Sequence, residues 1–373
     1  MSQQEWIRHF RPLTEEQIQT FANDGVLVVE NVLTSEELES SRNGLHQTLA
    51  QLSVDTDDLI GTGHALRYLS STNGSGGVLD IFYDEWKMRI ASNPTLFSMT
   101  CQLWDTAYCH SGETAESLDK TQRFKWHPYG EFDCNKGYMF IDRIGYRLPT
   151  ALAEQLGTQL ETHSGLKRNS SLQRSLTPHL DCCPDNLFTD KSKWRPIQCF
   201  VSLTDTVEPN AGGFEVATGF HHDFADWAKR RPPTVVTRKQ KDGTSVSECF
   251  PAPCIGEYTH IRPREDRNVM DRVQHVPVPA GSAVFWDNRL PHANAYRHDG
   301  NVPRSVVYCS FLPDVPINRL YAEKQLQKWK EGRNPNDQWI KTRENSVESS
   351  ATIQKQLNDL SPLARTLLLI DKW

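Results

Sequence analysis

The 373-residue sequence is short of several features that would place it at once. It has no apolar run of membrane-spanning length, and its opening "MSQQEWIRHFRPL" lacks the apolar segment of a secretory leader. It has no positive excess either. Lys and Arg number 41 against 47 Asp and Glu, a formal net charge of -6, which argues against a nucleic-acid or anionic-membrane surface. The nine cysteines form no CxxC pair, so the expectation is reduced thiols in a cytoplasmic protein. The closing "IDKW" matches no peroxisomal or retention address. Repeats and low-complexity linkers are also missing, which favours one integrated domain over residues 1–373.

What is present is enough apolar material for a substantial core, 37% of residues, arranged in two textures. Residues 1–135 read as a largely helical support. Thr14 with Gln17 and Thr34 with Glu37 have the spacing of capping boxes, and "GVLVVENVL" between them is a short buried strand. "STNGSGG" (71–77) reads as a flexible loop, and the helical stretch after it should break near Asn93-Pro94. From 136 to 315 the pattern changes to short strands: "GYMFIDRIGYRL", "RPIQCFVSLTD", "GGFEVATG", "QHVPVPAGSAVFWDN" and "RSVVYCSFLP". Separated by Gly, Pro and Asn turns, they predict a mainly β core with flanking helices (α+β), a sandwich or jelly roll. Residues 316–373 form a polar helical tail with an exposed stretch and a last helix capped at Ser361-Pro362.

The chemistry centres on "TPHLDCCPDNLF" (177–188). A strand sends residues i and i+2 to one face, so His179 and Asp181 would point together, as two metal ligands should. A second such pair, His221 and Asp223, precedes the helical "FADWAKR", where an N-capping aspartate is the simpler explanation. A 2-His-1-carboxylate facial triad for non-haem Fe(II) needs a third ligand from another strand, and His292 in "FWDNRLPHANA" supplies it. Arg304 then opens the next strand. An oxygenase using 2-oxoglutarate must hold a distal carboxylate, and a guanidinium does this with two parallel bonds at any relevant pH. Arg304, Val306, Tyr308 and Ser310 would share the inner face of that strand.

These motifs together resemble the phytanoyl-CoA dioxygenase family of Fe(II)/2-oxoglutarate oxygenases. The likeness runs through "DGVLVVENVLTSEELESSRNGL" (24–45), "HLD" (179–181), "EPNAGGFEVATGFHH" (208–222) and "PAGSAVFWDNRLPHANA" (279–295), and ends at Arg304. It implies a double-stranded β-helix (a jelly-roll, cupin-like core) and iron held by His179, Asp181 and His292. It also implies 2-oxoglutarate held by Arg304, with Gln198 as a further contact or a buried structural amide. The implied activity is that of a dioxygenase consuming 2-oxoglutarate and O2 to oxidise an unactivated C–H bond, by hydroxylation, desaturation or ring closure. Related halogenases have a small residue where Asp181 stands. Residues 228–275 are longer than the usual connection, which suggests a lid, and nothing marks a CoA site.

For the substrate, the arginines are the only lead. Arg143 and Arg147 share a strand face, and Arg195 and Arg289 lie near the metal site in sequence, as does Trp194. A small carboxylate-bearing or amino-acid-like metabolite would explain several of them, and so would internal salt bridges. A cupin-like metal enzyme without 2-oxoglutarate and a non-catalytic metal-binding barrel are the rival readings. Oligomeric state has no sequence signal.

Overall fold

The computed structural model describes residues 3–108, 117, 126–164, 171–184, 192–231, 234–240, 242–250, 254–255, 258–335 and 350–373. The helices begin where the side chains say they should. Thr14 Oγ1 accepts from Gln17 N–H while Gln17 Oε1 accepts from Thr14 N–H, and Thr34 with Glu37 does the same. The break at Asn93-Pro94 is real. One helix ends at Ala91, and Asn93 Oδ1 then caps Pro94–Ala107, with proline in the first turn, where no N–H is needed. Ser361 caps Pro362–Leu367 in the same way. The exposed stretch expected before that helix falls largely on 336–349, outside the described residues. No described helix is long and apolar enough to cross a membrane.

In chain order the strands are β1 (Val26–Val29), β2 (Val78–Leu79), β3 (Gly137–Arg147), β4 (His179–Leu180), β5 (Ile197–Ser202), β6 (Phe214–Ala217) and β7 (Thr234–Lys239). They continue with β8 (Ser245–Phe250), β9 (Cys254–Ile255), β10 (Tyr258–His260), β11 (Val273–His275), β12 (Ala283–Asp287), β13 (His292–Asn294) and β14 (Arg304–Pro313). One six-stranded sheet runs β1-β12-β5-β14-β3-β2, a second runs β11-β6-β13-β4-β10-β9, and β7-β8 is a separate ribbon. The named strands all pair antiparallel, so the chain is mixed α+β with antiparallel sheets.

Strand alternation divides the core in two. Cys199, Val201, Phe285, Val307, Cys309 and Phe311 face the helices, packing with Phe97 and Trp104 of Pro94–Ala107. Their neighbours Phe200, Val284, Trp286 and Val306 face the other way, onto Leu180, Phe214 and Val216 of the second sheet. The first sheet is therefore buried on both faces, and the cavity lies on its second-sheet side, where β4 and β13 carry His179 and His292.

Two local features shape that side. The β3–β14 register slips by one residue, with Val307 opposite Ile144 but Cys309 opposite Ile141. This bulge sets both Asp142 and Arg143 against Tyr308, so two consecutive residues reach the same cavity. The loop at 71–77, expected to be flexible, is instead pinned. Arg174 donates to Thr72 O, Asn73 O and Ser75 Oγ, and its backbone bonds to Gly74 and Gly76. Gly77 has φ +73°, and a Cβ there would come 2.8 Å from Arg147 Cα and from Tyr146 O, both backbone atoms that cannot move aside.

The thiols depart in part from expectation. Cys101, Cys134, Cys182, Cys199 and Cys309 are buried thiols, but Cys183 is in a disulfide whose other half lies outside the described side chains. Neighbouring side chains diverge, so Cys182 bonds inward to Asn288 O while Cys183 pairs elsewhere.

Thr34→Ala removes one exposed cap and should lower unfolding free energy by about 1 kcal/mol. Gly77→Ala adds a left-handed alanine and a backbone clash, and urea unfolding should show the larger loss. Equal midpoints for the two variants would mean the loop is not rigid as described.

Candidate metal centre

Three strands lie side by side with histidines in register. On β4, His179 pairs with His260 of β10 on one side and with His292 of β13 on the other. Asp181 follows β4 at a bend rather than within the strand, yet its carboxylate still turns back to the pair. Its Oδ1 lies 3.5 Å from His179 Nε2, and its Oδ2 lies 3.7 Å from His292 Nε2. One ligand atom from each of the three falls within 4.8 Å of the others.

The surroundings of both rings aim their Nε2 atoms at Asp181. Each imidazole is held at its far nitrogen by a backbone carbonyl, His179 Nδ1 by Thr177 O at 3.0 Å and His292 Nδ1 by Leu290 O at 2.9 Å. That fixes the proton on Nδ1 and turns the Nε2 lone pair inward. Burial lowers the His179 pKa to about 4, and neighbouring His292 adds to this, so His179 is neutral at neutral pH. Burial alone would raise Asp181. His292, His179 and Arg195 outweigh it and hold the carboxyl well below its ordinary range. Asp181 is also the accessible member, 33% exposed, on the wall of a cavity of about 590 Å³.

That cavity has an apolar floor and a polar rim. Trp286, Phe214 and Val78 line it along with the three ligands, and Thr72, Asn73, Ser75, Ser175, Asp142 and Arg143 face them. Gln198 also lines it, paired in register with Trp286. Gln198 Nε2 and Trp286 Nε1 are buried and have no hydrogen-bond partner among the described residues. Arg304 lies deeper, 2% exposed, its guanidinium over the Phe200 ring and Nη1 donating to Asn294 Oδ1 at 2.8 Å. Asn294 in turn lines the cavity and donates to Tyr308 Oη at 3.1 Å. Arg304 Nε and Nη2 find no acceptor among the described residues. A buried guanidinium with two idle donors and no carboxylate is costly unless something brings one.

The other arginines have internal partners. Arg143 lines the cavity and donates through Nε to Asp80 Oδ1 at 2.6 Å and through Nη2 to Ser71 Oγ. Arg147, in register with Arg304, sits behind the cavity and donates to Tyr296 O and Arg174 O. Arg195 lies between Asp142 and Asp181. Arg289 is buried against Asp287 and Tyr108, away from the cavity lining. Trp194 is enclosed by His127, Tyr129, Phe132 and Tyr108, and its backbone N–H bonds Asn318.

Some site residues had no sequence signal. Tyr258 stacks on His179, with centroids 4.7 Å apart, and lines the cavity with His260. Both come from the 228–275 segment, whose β10 is a wall of the site. Asn294 could have been found, since it lies two residues past His292 on the same strand face.

Among the described residues, the second HxD pair belongs to no cluster of potential metal ligands. Asp223 stands at the N-cap position, but its carboxylate pairs with Arg272 at 2.6 Å instead of capping, because its backbone is helical there. His221 is buried with Nε2 bonded to Ala22 O, and burial lowers its pKa to about 4. Between pH 4 and 6.5 the unfolded chain therefore binds a proton that the folded chain refuses. Stability from this group is complete above about pH 6.5 and falls as pH drops toward 4, by on the order of 3 kcal/mol. His221→Gln should flatten urea-measured stability across that window, and an unchanged slope would contradict the assignment.

Among curated proteins nothing matches. A family model described as Gig2-like matches residues 185–367, just under half of the chain. Among solved structures, the GlcNAc Inducible Gene 2 protein of Candida albicans is 14% identical with a TM-score of 0.65, covering 99% of this chain and 79% of that one. A hypothetical protein of Escherichia coli, JW0805, is 16% identical with a TM-score of 0.58, covering 99% of this chain and 84% of that one. At such identities these likenesses show the fold alone. The family match is Gig2-like, and the resemblance to phytanoyl-CoA dioxygenases rests on the quoted motifs. In the matched segment and in fold, this chain is similar to Gig2-like proteins.

Proposed function

We propose that the chain is an Fe(II)- and 2-oxoglutarate-dependent oxygenase acting on a small polar metabolite, with its two sheets forming a double-stranded β-helix. The observation that carries this is Arg304, buried with two unused donors in the same core as the convergent His179, Asp181 and His292. The donor set fits the metal: two imidazoles whose Nδ1 is held by a carbonyl and whose Nε2 faces inward, with one carboxylate, match a facial triad for non-haem iron. The site also fits the diacid. Arg304 Nε and Nη2 offer a fork for one carboxylate, while Gln198 Nε2 and Trp286 Nε1 offer two more buried donors. When bound, the metal with 2-oxoglutarate and O2 supplies the oxidising power for an unactivated C–H bond.

The protein's part is placement. His179 and His292 are each held at Nδ1 by a carbonyl, which fixes the ring orientation and keeps Nε2 facing Asp181. Phe214, Trp286 and Phe200 keep water from the Arg304 end. Asp142, Arg143, Thr72 and Asn73 form the opposite wall, where a substrate would meet hydroxyls, an amide and one ion pair. Since Arg143, Arg195 and Arg289 have Asp80, Asp142 and Asp287 as partners, this wall suits a polar metabolite without requiring it to be an acid.

The test is anaerobic titration of the metal-free protein with Fe(II) and then 2-oxoglutarate, following the visible charge-transfer absorption. Wild type should develop the band. Arg304→Ala should bind Fe(II) as wild type does but need on the order of 100-fold more 2-oxoglutarate, as expected when one partner of a buried charge pair is removed. Iron binding without any band would instead favour a cupin-like enzyme that does not use 2-oxoglutarate. No iron binding would leave only a non-catalytic barrel.

A further inference from the structure

Arg195 sits just behind the metal ligands, and nothing so far gives it a task. Its guanidinium lies between two carboxylates, with Nη1 3.2 Å from Asp142 Oδ2 and Nη2 3.8 Å from Asp181 Oδ2. Its Cζ lies over Phe140, 4.5 Å from the ring centroid, and its side chain is only 12% exposed. Asp142 and Asp181 both line the cavity and Arg195 does not, so the two acids screen it from anything bound there. A substrate contact is therefore not its role. Its position depends on the β3 bulge, which turns Asp142 to the cavity side.

We propose that Arg195 is a positioning residue for Asp181. Anchored by Asp142 and held over the Phe140 ring, it draws Oδ2 toward itself and would leave Oδ1 for a metal. A metal held by His179 and His292 would then meet one oxygen of Asp181 while the other stays with Arg195. The fork geometry matters, since a planar guanidinium can hold two carboxylates at fixed angles while an ammonium acts as a point charge. This rests on the metal reading of His179, Asp181 and His292.

The sign of the effect separates positioning from simple charge. A cation near a metal site repels the metal, so deleting a bystander arginine should tighten metal binding. Deleting a residue that orients a ligand should weaken it, by 10- to 100-fold for outer-shell partners, so about tenfold or more is expected here. The experiment is Mn(II) titration of the metal-free protein, read by loss of the free-ion EPR signal, for wild type, Arg195→Met and Arg195→Lys. Circular dichroism and the thermal midpoint of each metal-free protein establish folding.

The expected result is a loss of about tenfold or more in Arg195→Met, partly recovered in Arg195→Lys. If the methionine variant does not fold, the lysine variant, which keeps the charge, should still bind a few-fold more weakly than wild type. Unchanged or tighter binding in folded variants would overturn the proposal while leaving the metal site standing. Failure of wild type to bind Mn(II) would overturn both.

Discussion

The site depends on one backbone pairing, His292 against His179 across β13 and β4. Antiparallel register is fixed in steps of a residue, and a slip of one would send either imidazole to the opposite face. The pairing is held from both sides, by β6 against β13 and by β10 against β4, so the two rings cannot drift apart without breaking a ladder. Asp181 needs no strand of its own, because it follows His179 by two residues and is steered by charge.

Around this pair the electrostatics are arranged unevenly. Arg143, Arg289 and Arg231 are matched by Asp80, Asp287 and Asp266, each a buried or half-buried pair closed within the chain. Arg304, like Arg147, has no carboxylate among the described residues, and is held by Asn294, the Tyr308 hydroxyl and the Phe200 ring. Arg147 also lacks a carboxylate but donates to two backbone carbonyls, whereas Arg304 Nε and Nη2 find no acceptor among the described residues. Gln198 and Trp286, which line the cavity, each also carry a buried nitrogen with no partner among the described residues.

What could be read from the sequence follows the range of the interactions involved. The capping boxes at Thr14 and Thr34, the break at Pro94 and the strands bearing Ile197, Ala283 and Arg304 are set by neighbours within a few residues, and all appear as expected. The grouping of His179, Asp181 and His292 was legible because chemistry restricts which three residues make a ligand set. Partnerships across long separations were not. Arg143 finds Asp80, Arg174 pins the 71–77 loop, and Tyr258 reaches His179, none of them implied by local spacing. Parity also failed once, at the β3 bulge, where Asp142 joins Arg143 on a face that alternation would have denied it.

The most direct test of the central claim is an anaerobic crystal structure with Mn(II) and 2-oxoglutarate. The account predicts an anomalous peak bound by His179 Nε2, one Asp181 oxygen and His292 Nε2, with one carboxylate of the diacid on Arg304. Metal bound elsewhere, or a diacid that leaves the Arg304 donors empty, would contradict it.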